Sequence, residues 1–158
     1  MRKIRSKFAS LNGMKAPERI LVWLLRLVGA VMLTALGAVF MPSQWMNAIH
    51  QQIGLGDLPD KPIVGYLTRS VSVLYALHGA LLLFLAGDVR RYRPVVRFLA
   101  LAGLVFGVLL LGIDCAVKMP LSWTAGEGPF VIVLGAAILW LSGRRHFPST
   151  AAVPVMGD

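Results

Sequence analysis

Three ionisable residues lie inside or at the edge of apolar stretches of this sequence, and chemistry could arise where they meet: Arg69, Asp114 and Glu127. A guanidinium grips a carboxylate through two parallel hydrogen bonds, which makes Asp114 and Glu127 the obvious partners of Arg69. Charged side chains within an apolar span are expensive and mark functional sites by default. The same pairing can equally be a structural clasp that fixes helix register, or the anchor of a solvent-reached pocket. Tyr66, Ser70 and Ser72 would extend that pocket, and Lys118 belongs to the same polar cluster. His78, with Tyr75 a turn away, is a second polar point nearer the middle of its span. A histidine with no carboxylate at its own depth reads as a helix–helix hydrogen bond before it reads as a proton relay. His50 and His146 are too scattered to build a metal site with it, so no metal is expected. No nucleophile elbow, paired-cysteine motif or phosphate-cradling glycine loop is present, and no cofactor or catalytic residue is assigned.

The elements that position these groups follow from four apolar stretches: Ile20–Met41, Ile63–Gly87, Pro94–Lys118 and Gly128–Gly143. A helix needs about 20 mostly apolar residues to cross a bilayer core, and the first three clear that length. The hydrophobic fraction is 57% with only 15% charged residues, and mean hydropathy is +0.72. That is a membrane composition. The expected fold is all-α, a four-transmembrane-helix bundle with a short amphipathic helix in the outer loop. It divides into a basic N-terminal segment (1–19), a membrane domain (20–143) and a tail (144–158).

The net charge of +9 reads as topology and not as a nucleic-acid footprint. Arg2, Lys3, Arg5, Lys7, Lys15 and Arg19 precede the first span; Arg90, Arg91, Arg93 and Arg97 separate the second from the third; Arg144 and Arg145 follow the fourth. Because basic loops resist translocation, both termini are expected in the cytoplasm of a cell with an inner membrane. The first span is too long for a signal-peptide core and lacks a cleavage site, so it should persist as an anchor. Ile4, Phe8 and Leu11 form an apolar stripe beside the basic residues, either an interfacial helix or a frayed basic tail. Cys115, the single cysteine, cannot form an intrachain disulfide.

Small residues forecast the packing. Gly103 and Gly107 are spaced to let two helix backbones approach, as are Ala30, Thr34 and Ala38, and Gly135 stands beside Ala136. At 100° per residue Asp114 lies about 20° from Gly103 around the helix, which points the acid into the bundle. Arg69 should sit about 9 Å below the outer end of its span. Glu127 is placed just before Pro129, at the outer start of the fourth span. Between the first two spans, Trp45, Met46, Ile49, Ile53 and Leu55 make an apolar stripe, expected as an interfacial helix above Arg69.

Several short motifs resemble an uncharacterised group of small bacterial four-helix membrane proteins. They are Met-Pro-x-x-Trp (Met41 to Trp45), Tyr-Leu-x-Arg-Ser (Tyr66 to Ser70), Asp-Val-Arg-Arg-Tyr (Asp88 to Tyr92), Gly-Ile-Asp (Gly112 to Asp114) and Trp-Thr-x-x-Glu-Gly-Pro (Trp123 to Pro129). The overall layout resembles the broader DoxX-like set, some of whose members are linked to quinol oxidation. The first resemblance implies no activity; the second implies a redox role by fold analogy alone. Two function classes follow as expectations. One is a non-enzymatic accessory subunit or a binder of a small molecule or lipid head group at the outer interface. The other is a membrane enzyme or redox accessory acting on a lipid or quinone. The expected partners are the lipid bilayer, a homo-oligomer or larger membrane complex, and a lipid or quinone ligand.

Overall fold

Proline sets the first turn of every long helix: Pro17, Pro62, Pro94 and Pro129 each occupy a position where the missing N–H has no intrahelical partner to lose. The computed structural model describes residues 14–143, which form helices and loops with no strand among them. In chain order they are α1 (Ala16–Leu33), α2 (Leu36–Val39), α3 (Ser43–Gln52), α4 (Pro62–Leu85), α5 (Arg93–Val117), α6 (Leu121–Gly126) and α7 (Gly128–Gly143). The basic stripe forecast at Ile4 to Leu11 and the tail from Arg144 lie outside the described residues.

Among the described residues four segments are long and apolar enough to cross a membrane: Ala16–Val39, Pro62–Leu85, Arg93–Val117 and Leu121–Gly143. The chain is a multi-pass membrane protein. Two of these spans are composite. α1 passes into α2 through a tightened turn at Thr34, whose Oγ1 donates to the Val31 carbonyl at 2.6 Å. The fourth span, short if it begins at Gly128, is completed by α6. It breaks at Glu127 because Pro129 has no N–H to offer the Ala125 carbonyl one turn back.

Packing divides the bundle into two pairs, α1 with α4 and α5 with α7. Each is closed by glycines. A Cβ on Gly29 would lie 2.8 Å from the Gly79 carbonyl oxygen, and one on Gly79 would lie 2.6 Å from that of Gly29. Gly107 and Gly128 approach in the same reciprocal way, with a Cβ on either falling 2.9 Å from the other's carbonyl oxygen, and a Cβ on Gly135 would fall 2.9 Å from the Ala100 carbonyl oxygen. The small-residue forecast therefore needs correcting. Gly107 packs but Gly103 meets nothing, and Gly29 takes the place expected for Ala30 and Thr34, which are exposed. Backbones touch where the partner helix offers a glycine or alanine at the same level, a property that spacing on one helix cannot reveal.

The pairs join at the end of the bundle where α1 begins. Leu21, Val22, Leu85, Val89, Val96 and Leu141 are buried there in one core. Polar ties reinforce it. Glu18, 1% exposed, accepts from Arg90 Nε at 3.0 Å and Nη2 at 2.7 Å, and Arg93 Nε donates to the Ser142 carbonyl at 2.7 Å. The hydrogen bonds to Glu18 raise the Arg90 pKa above its ordinary value. α1 also touches α7, whereas α4 and α5, although consecutive, share no extended contact.

Candidate functional site

Because the pairs are joined at the basic end and α4 stands apart from α5, a cleft of about 340 Å³ remains between them. Its floor is the top of the core, Leu25, Leu82, Val96 and Ile138. Its walls are aliphatic except for Phe106 and three polar side chains, Tyr75 and His78 from α4 and Glu127 from the α6–α7 joint. Gly103 widens it, since a Cβ there would have no neighbour within 4 Å. Tyr75 and Phe106, on the two helices that stand apart, are 36% and 47% exposed, so the cleft opens sideways between α4 and α5. Glu127 and Ile138, both in its lining, are 11 residues apart on the sequence, about 16 Å along a helix.

Glu127 does not lie at the outer start of the fourth span, where the sequence placed it. α6 already belongs to that span, and Glu127 comes six residues after Leu121, about 9 Å of helix deeper. This brings a carboxylate into the cavity that holds His78 and Tyr75, a meeting the apparent depths of the residues had argued against. Trp123 Nε1 donates to Glu127 Oε2 at 2.7 Å and orients the carboxylate. The side chains of Tyr75 and His78 hydrogen-bond to no described residue, and Oε1 of Glu127 likewise has no such partner.

The rest of the forecast cluster is dispersed. Arg69 makes no bond to Asp114 or Glu127. Its Nε donates to the Val39 carbonyl at 3.1 Å, its Nη2 to Met41 at 3.2 Å and its Nη1 to Gly65 at 3.3 Å. The guanidinium thus satisfies carbonyls left open where α2 ends, a need that a side-chain motif search cannot see. With Tyr66, Lys61 and Asn47 it also lines an open cavity of about 720 Å³ beneath α3. The helix forecast for the outer loop is α3, with Met46 buried and Trp45 exposed. Asp114 is buried but lines neither cavity, and its Oδ2 has no hydrogen-bond partner among the described residues. Lys118 is exposed in the left-handed turn that ends α5, at φ 58° and ψ 47°.

Comparison with family models, curated proteins and solved structures finds no match for this chain.

Sequence reasoning missed the Glu18–Arg90 pair, having read Arg90 only as topology. A signal was available. Glu18 stands at the head of the stripe Leu21, Val22, Leu25 and Gly29, at helical spacing i, i+3, i+4, i+7 and i+11. An acid on a face that is otherwise wholly apolar demands a cation from another element. No group of three or more metal-ligating side chains occurs among the described residues.

Proposed function

We propose that this chain binds an apolar or amphiphilic small molecule that enters from the bilayer between α4 and α5. The observation that carries the reading is the cleft itself. It has the size of a small-ligand site, is apolar over most of its wall, and contains a few polar groups with unsatisfied capacity. The far-end cavity supports a binding role less well, because its arginine is already engaged by three backbone carbonyls. With the positive-inside rule, the end bearing Arg19, Arg90, Arg91 and Arg97 faces the cytoplasm and the Glu127 side of the cleft lies toward the outer leaflet.

The test is native mass spectrometry of the protein released from its own membrane. A molecule retained at one copy per chain, and lost from Gly103→Phe, which fills the cleft, is the expected result. Identical adducts on both proteins would overturn the reading. A second reading, a membrane enzyme or redox accessory acting on a lipid or quinone, draws support from Glu127, Tyr75 and His78 lining one cavity. It requires that His78→Gln and Tyr75→Phe keep the bound molecule but leave it chemically unaltered where the wild type converts it.

A further inference from the structure

We infer that the ligand of the α4–α5 cleft carries a hydrogen-bond-donating, cationic head, an amine on an apolar tail, which docks on Glu127. The inference rests on the proposed binding role of the cleft and names the chemistry it selects. An ionised carboxylate is an acceptor only. Trp123 occupies Oε2 and thereby holds the group in one orientation, which leaves Oε1 with no partner among the described residues. Among the described residues that line the cleft there is no lysine or arginine to complement it. Arg69, the nearest arginine to Tyr75 on α4, is turned to the carbonyls of Val39, Met41 and Gly65.

The remaining polar side chains reinforce the choice. Tyr75 and His78 each combine donor and acceptor capacity, so they accommodate a donor head without opposing it. An anionic head, by contrast, would face the Glu127 carboxylate with no cation among the described lining residues to pair it. Below the head, Leu25, Leu82, Val96 and Ile138 floor a space suited to an aliphatic tail or an extended apolar ring system. Glu127 also borders a shallow surface depression beside Ser122, Trp123 and Gly126, so the carboxylate is reached from the outer face of α6 as well as from the cleft.

The experiment uses three straight-chain probes that differ only in the head: dodecylamine, dodecanol and dodecanoate. Each is titrated at neutral pH into the purified full-length protein, and probe bound per chain is read by native mass spectrometry. Wild type should bind the amine at least about tenfold more tightly than the alcohol, the advantage of a charge-assisted hydrogen bond, and dodecanoate most weakly. Glu127→Gln should abolish the amine's advantage while retaining alcohol binding. Trp123→Phe, which keeps the carboxylate and removes only its orienting donor, should keep the amine preferred. Dodecanoate bound as tightly as the amine, or an amine advantage that survives Glu127→Gln, overturns the cationic head. Failure of all three probes to bind wild type, or their undiminished binding to Gly103→Phe, overturns the cleft itself.

Discussion

Removing Arg90 should harm this protein more than removing the charge of Glu18, although the two form one salt bridge. The reason is the asymmetry of their burial: the Arg90 side chain is 47% exposed and that of Glu18 1%. Arg90→Ala strands a carboxylate where water cannot reach it, the situation that costs about 3–5 kcal/mol in buried pairs. Glu18→Gln leaves a guanidinium that rehydrates where it stands, so the loss approaches the surface-pair value of about 1 kcal/mol. The double variant should then be more stable than Arg90→Ala alone by roughly 2 kcal/mol, because the stranded charge is gone. Reversible unfolding in mixed micelles, followed by the loss of helical circular dichroism, measures all three. Equal losses for the two single variants, or a double variant that loses their sum, would refute the argument. Either result would mean that the bridge contributes nothing through burial.

Four further outcomes are expected. Arg69→Met removes three hydrogen bonds to carbonyls and should cost about 2–4 kcal/mol, with increased protease cutting in the α2–α3 region as the local readout. Combined with Asp114→Asn its effect should be additive within about 0.5 kcal/mol, since the two side chains do not meet; a coupling larger than that would restore the clasp. Asp114→Asn alone should be neutral or stabilising in the same unfolding assay, because it removes a buried carboxylate whose Oδ2 is unpartnered; a loss above about 2 kcal/mol would reveal a partner. Gly79→Ala should destabilise by about 1–3 kcal/mol, its Cβ falling 2.6 Å from the Gly29 carbonyl, whereas Gly103→Ala should lie within experimental error of wild type.

What the sequence determined by itself is whatever depends on composition and on local rules. Block hydrophobicity places four helices in a membrane, because an unsatisfied backbone is intolerable in lipid and a helix satisfies its own. Proline after each loop marks where the helices start, and the apolar stripe of Trp45 to Ile53 is enough to give α3. The interior location of Asp114 was also legible, from its angle relative to Gly103, as was the compatibility of Gly107 and Gly135 with close packing.

Partnership was decided only by the tertiary structure. Arg69 was matched to carboxylates because charges on a page invite pairing, yet the end of α2 presents carbonyls that sequence does not display, and these hold the guanidinium. Gly103 and Gly107 look equivalent in sequence, but only Gly107 is opposed by a glycine, Gly128, so one closes a helix pair and the other opens a cleft. Glu127 joins Tyr75 and His78 because α6 carries it into the span before Pro129 breaks the helix, which resets a depth that residue counting had fixed at the surface. Local chemistry specifies each helix and its solvent. Which side chains meet depends on where four nearly uniform apolar cylinders can approach most closely, and that is a property of facing surfaces that no single strand of sequence contains.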